Sequence, residues 1–110
     1  MKIFYFGEDH LTPNLALQIA NNKITCEIGK SAKVNIQESR KNTRDIAHGE
    51  RTIYGINTGF GPLCDTKISK EQIKLLQENI LKSHSVGVGP IVPDLIAKLM
   101  LITKVHALSM

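Results

Sequence analysis

Three glycines within seven residues rule out a helix or a regular strand, and Thr52-Ile-Tyr-Gly-Ile-Asn-Thr-Gly-Phe-Gly-Pro62 contains such a run. Gly55, Gly59 and Gly61 tolerate positive φ and let other groups come close to the backbone. Between them stand a phenol (Tyr54), an amide (Asn57), a hydroxyl (Thr58) and an aromatic ring (Phe60). An ordinary surface loop would carry Ser, Asp, Lys and Pro instead. Composition leaves two readings open. One is a loop that closes over a ligand; the other is a tight turn whose Ile53, Ile56 and Phe60 plug a core.

The pattern on either side is mainly helical, with a small two-stranded β element near the N-terminus. Lys2 to Phe6 is short, apolar and aromatic, as a strand is. Thr12-Pro13 reads as a helix start, with Thr12 as N-cap and Pro13 where its missing N–H costs nothing. Leu15, Ala16, Ile19 and Ala20 give that helix its apolar face, and Asn21-Asn22 end it. Ile24, Cys26 and Ile28 alternate with Thr25 and Glu27, a period-2 strand able to pair with the first. From Ser31 to His48 there is neither Gly nor Pro, few apolar residues, and a stop at Gly49, so a mostly wetted helix follows. Ser69-Lys-Glu-Gln72 has the form of a capping box. Ile73, Leu76, Ile80 and Leu81 mark that helix's buried side, and Gly87-Val-Gly89-Pro90 terminates it. Pro93-Asp94 opens a last helix whose apolar residues, Leu95 to Leu108, surround more than one face. Such a helix calls for cover on several sides, and its run to Met110 without a cap or polar tail reads as a truncated chain.

With 110 residues, 42% of them hydrophobic, residues 1–110 suit one small domain. The net charge of +4 is mild. Its main cluster (Lys30, Lys33, Arg40, Lys41 and Arg44) is interleaved with Glu38 and Asp45, as on a solvated helix face. Without interleaved aromatic residues, nucleic-acid binding is not expected. Cys26 and Cys64 lie far apart with no Cys-x-x-Cys, which suits a reduced cytoplasmic protein. The N-terminal apolar run is too short for a signal peptide, and no window reaches membrane-spanning length. His10, His48 and His106 match no metal spacing. Gly87-Val-Gly89 follows a helix instead of opening one, and no Gly-x-x-x-x-Gly-Lys-Ser/Thr is present, so it is not a phosphate loop.

Two blocks together carry a family resemblance. Tyr54-Gly-Ile-Asn-Thr-Gly-Phe-Gly61 resembles the tyrosine loop of the histidine and aromatic amino-acid ammonia-lyases. Leu76-Gln-Glu-Asn-Ile-Leu-Lys-Ser-His-Ser-Val-Gly-Val-Gly-Pro90 is similar to a second block, at the family's usual distance. The resemblance covers nearly the whole chain, is weak before about Ser31, and corresponds to the N-terminal part of such an enzyme.

It implies that Tyr54 transfers a proton at the substrate; a phenol doing so near neutrality needs donors or positive charge around it. Gly55, Gly59 and Gly61 would be the hinges of its loop, Asn57 and Thr58 would line the inner face, with Asn57 at the substrate, and Phe60 would anchor the loop by packing. The family's electrophile is a methylidene-imidazolone (MIO) formed from Ala-Ser-Gly. None of this chain's serines stands between Ala and Gly, so the chain alone is expected to be inactive. Ser83-His84 resembles the histidine lyases, whereas phenylalanine and tyrosine enzymes look like Phe-Leu and His-Leu there. An imidazole substrate needs a polar partner, and His84 can donate or accept. By position alone His84 could instead satisfy the last carbonyls of the helix begun at Ser69. The resemblance thus implies an L-histidine ammonia-lyase yielding urocanate and ammonia, working as a homotetramer in the cytoplasm without a metal. The alternatives are a tyrosine or phenylalanine lyase or aminomutase, or a non-catalytic helical oligomerisation module.

Overall fold

A computed structural model describes residues 2–110. The element order is β1 (Ile3–Phe6), α1 (Pro13–Ala20), β2 (Thr25–Ile28), α2 (Lys30–His48), a 3-10 turn (Gly61–Leu63), α3 (Lys70–His84) and α4 (Asp94–Leu108). The chain is mainly α, with one two-stranded sheet among the described residues. By internal contacts it divides into two compact units: residues up to Glu38 with Pro90–Met110, and Ser39–Gly89. The residues of α2 are shared between them.

In the first unit β1 and β2 pair in parallel, from Ile3 opposite Thr25 to Phe6 opposite Ile28. A parallel pair needs a long crossover, and α1 lies within it. Alternation along β1 sends Phe4 and Phe6 to the buried side, their rings edge to face at 5.3 Å, and leaves Tyr5 more exposed. They pack with Ala16, Ile19 and Ala20 of α1 and Ile102 of α4. The start of α1 is as its sequence dictates: the Thr12 hydroxyl accepts from the Leu15 N–H at 3.3 Å, and Pro13 is at the first position. His106 sits at the edge of this core against both phenylalanine rings, its Nδ1 accepting from the Gly7 N–H at 3.4 Å.

The first turn of α2 is held from far away in sequence. Glu8 Oε1 accepts from the Ser31 N–H at 2.8 Å and from the Ser31 hydroxyl at 2.6 Å, a negative charge where the helix leaves donors unpaired. Beyond that point α2 is wetted as expected, with Ala32 alone buried. In α4 the apolar side chains are less covered than the pattern demands. Only Ile102 is buried, while Met100 and Leu101 are largely exposed. Among the described residues no helix is long and apolar enough to cross a membrane.

Phe4→Ala should cost about 3–5 kcal/mol in denaturant unfolding, the range for emptying a core aromatic site. Val34→Ala, on the open face of α2, should stay within about 0.5 kcal/mol. The Ser31 hydroxyl and N–H hold the Glu8 carboxyl below its ordinary range. Its folded pKa is lowered, so its contribution is present above the ordinary glutamate range and is lost as pH falls through that range toward the folded value. Glu8→Gln should therefore flatten the pH dependence of amide exchange at the start of α2 on acidification.

Candidate functional site

The glycine-rich segment lies in the second unit, and its interior is polar. Asn57 and Thr58 are fully buried, whereas Ile53, Ile56 and Phe60 are only half-buried. Of the two readings left open, the tight turn plugged by apolar side chains does not describe this interior. The reason is the backbone: a turn this irregular has N–H and C=O groups that no ladder pairs, so side chains must pair them. Asn57 Oδ1 accepts from the Ile53 N–H at 2.8 Å, and its Nδ2 donates to the Arg51 carbonyl at 2.9 Å. The Thr58 hydroxyl donates to the Gly59 carbonyl at 2.8 Å and accepts from the Gly55 N–H at 3.3 Å. Residues 57–59 also bond to 66–68 through Gly59 N–H to the Thr66 carbonyl and Ile68 N–H to the Asn57 carbonyl, at 3.1 and 2.9 Å.

The glycines have separate reasons. Gly55 and Gly61 adopt positive φ, at 77° and 58°. At Gly59 the constraint is space, since a Cβ would fall 2.6 Å from the Leu63 Cβ and 2.9 Å from the Leu63 carbonyl oxygen.

On this locked interior Tyr54 points outward, 62% exposed, its ring meeting Phe60 edge-on at 5.8 Å. Asn57, expected at the substrate, here spends both ends of its amide on the turn. Gln77 of α3 donates from Nε2 to the Gly55 carbonyl at 3.2 Å and so ties the turn to the helix. Sequence reasoning missed this residue. Its signal was a polar side chain among Ile73, Leu76 and Ile80 on the supposed buried side.

Helix α3 departs from expectation in two ways. The Ser69–Gln72 capping box does not form, and Ser69 makes no side-chain cap. Its hydroxyl bonds the Glu71 carboxylate instead; the Glu71 backbone N–H first, and then that hydroxyl, hold the carboxyl below its ordinary range. The stripe Ile73, Leu76, Ile80 and Leu81 is not buried: the first three are half-covered and Leu81 is 69% exposed. The helix ends at His84, before Gly87, with Ser85 as its cap.

At that end His84 Nδ1 lies 2.9 Å from the Ile80 carbonyl and 3.0 Å from the Ser83 hydroxyl. A carbonyl only accepts, so Nδ1 carries the proton and Nε2 is left for another partner. His84 is seven residues beyond Gln77. It therefore falls on the same helix face, roughly 10 Å further along the axis. Among the described residues no hydrogen bond or ring contact joins Tyr54 to Ser83 or His84. No group of three or more potential metal ligands is assembled among them either.

The family model described as aromatic amino acid lyase matches residues 11–110. The chain belongs to that family. Histidine ammonia-lyase of Streptococcus sanguinis (strain SK36) is 37% identical over 100 residues, covering 91% of this chain and 20% of the relative. That of Clostridium tetani is 37% identical over 108 residues, covering 98% and 21%. The chain thus spans about a fifth of the length of these curated relatives. Among solved structures, tyrosine aminomutase from Streptomyces globisporus superposes with a TM-score of 0.86 at 26% identity, covering 96% of this chain and 20% of that one. Ergothionase from Treponema denticola, in complex with desmethyl-ergothioneine sulfonic acid, shares the fold with a TM-score of 0.88 at 22% identity, covering 98% and 22%.

Asn57→Ala should destabilise this lyase-family turn by about 2 kcal/mol or more, because it leaves a buried donor and acceptor unpaired. Faster amide exchange at Ile53 and Ile68 would report it. Gly61→Ala should cost about 1–2 kcal/mol for its left-handed backbone alone, since nothing lies within 4 Å of the added carbon. Gly59→Ala, which must displace Leu63, should disturb the turn more.

Proposed function

We propose that the protein carrying this chain is an ammonia-lyase that converts L-histidine to urocanate and ammonia. Tyr54 moves a proton at the substrate, and Ser83 with His84 meets its imidazole. One observation carries the reading: an exposed phenol on a turn locked from beneath, with His84 on the α3 face that Gln77 ties to that turn. The free Nε2 of His84 is the polar group such a substrate would use, and the Nδ1 bond to Ile80 fixes which nitrogen it offers. The curated histidine ammonia-lyases at about 37% identity support the substrate.

The elimination takes the amine from Cα and a proton from Cβ, leaving a double bond conjugated with the carboxylate and ring. In the family a methylidene-imidazolone supplies the electrophile for this chemistry. None of this chain's serines stands between Ala and Gly, so its residues do not fit that group, which must come from elsewhere in the protein. This chain by itself should therefore be inactive. The work of its own residues is to hold Tyr54 in place and to present His84 to the substrate. The exposed apolar side chains of α4 support assembly as a homo-oligomer, and the free thiols of Cys26 and Cys64 suit a reducing cytoplasm.

The likeness to tyrosine aminomutase favours a second reading, in which the substrate is tyrosine and the product a β-amino acid. Purified full-length protein offered L-histidine, L-tyrosine and L-phenylalanine, followed by ultraviolet absorbance and chromatography, separates the two. Urocanate from histidine alone is expected. Tyr54→Phe should lower kcat by at least about 100-fold, as loss of a general acid–base group does, and His84→Ala should chiefly raise KM. A β-amino acid or coumarate from tyrosine would transfer the assignment, and the absence of any product from folded protein would leave a helical assembly module.

A further inference from the structure

The second unit contains a cleft of about 530 Å³ between the C-terminal half of α2, the glycine-rich turn and the start of α3. Arg40 and Arg44 line it from α2, Lys70 and Lys74 line it from α3, and no Asp or Glu is among its lining residues. Each pair is spaced i, i+4, so both members face the same way. Like charges at that spacing repel, and here two such pairs face one cavity. Two carboxylates act on them: that of Glu78 lies 3.8 Å from Lys74, whose side chain is 89% exposed, and that of Glu71 interacts with Lys70. Contacts so open to water neutralise little. His48 also lines the cleft; its Nδ1 donates to the Arg44 carbonyl at 2.7 Å, which leaves Nε2 for another partner. Ile56 and Ile73 supply an apolar wall.

We propose that this cleft binds a small multivalent organic anion, its phosphate or carboxylate groups held by Arg40, Arg44, Lys70 and Lys74 and its carbon body against Ile56 and Ile73. Guanidinium forks match phosphate and carboxylate geometry, and charge-assisted bonds are the strong ones. The volume is in the range of small-molecule sites. No Phe, Tyr or Trp lines the cleft, so it offers no platform for stacked nucleic-acid bases. The site is separate in chemistry from the Tyr54 face, though Gly55 and Ile56 form part of its wall.

The test is calorimetric titration of the full-length protein with inorganic pyrophosphate and with citrate, against sodium chloride at matched ionic strength. Saturable binding of one anion per chain is expected, with added protection from amide exchange at Gly55 and Ile56. A preference for pyrophosphate or for citrate would identify phosphate or carboxylate as the natural head group. Arg44→Gln with Lys74→Gln should weaken binding by at least about tenfold, the loss expected of a charge-assisted hydrogen bond. The same double variant should melt no lower than the parent without ligand, because it relieves repulsion. Binding that sodium chloride abolishes equally, binding untouched by the double variant, or no saturable binding would overturn the proposal. None of these readings depends on turnover, so they leave the lyase assignment to its own assay.

Discussion

A primary amide with no exposure to water holds the centre of the second unit. Asn57 bridges Ile53 and Arg51 through its side chain and reaches Ile68 through its own carbonyl. The turn's backbone pairs with itself only in part, as from Ile56 and Asn57 to the Ile53 carbonyl, and the remaining buried groups would otherwise cost their desolvation. Thr58 does the same for Gly55 and Gly59. Because the interior is satisfied by short polar side chains, the larger aromatic residues are free to be elsewhere. Tyr54 is thus an outward-facing phenol on a fixed base.

The first unit is organised by burial. Phe4 and Phe6 alternate onto one side of a parallel pair, and α1 and α4 close over them. Glu8 then anchors α2 with a charge placed at its unpaired N–H groups. The helix leaves that anchor with little apolar surface to bury, and its exposed length is what allows Arg40 and Arg44 to face a cleft instead of a core.

Local chemistry was legible wherever one short-range rule dominated. Thr12 and Pro13 opened α1 because a hydroxyl cap and a ring without an N–H serve only that position well. The alternation of Ile24, Cys26 and Ile28 announced β2, and the glycines at 55 and 61 marked turns that positive φ confirms. Reading failed where a side chain had a choice of partners. Ser69 could cap its helix or bond Glu71, and the nearer charge won. The face of Ile73, Leu76 and Ile80 had the right period for burial, but the period does not say whether anything covers it. Arg40 and Arg44 are exposed, as their solvated stripe implied, and the approach of α3 adds a cleft beside them that the stripe does not announce. The bonds of the Asn57 amide to Ile53 and Arg51 were not legible either, since an amide's partners show only in its hydrogen-bond geometry.

The sequence by itself determined the kind of element at nearly every position and the family to which the chain belongs, because both depend on residue types at short, fixed spacings. Tertiary structure decided the direction of the strand pair, the anchoring of α2 by Glu8, and the tie from Gln77 to the turn. It also decided that four cations from two helices share one cleft. Those outcomes depend on which groups distant in sequence come within a few ångströms, and no periodicity within one helix encodes its neighbour.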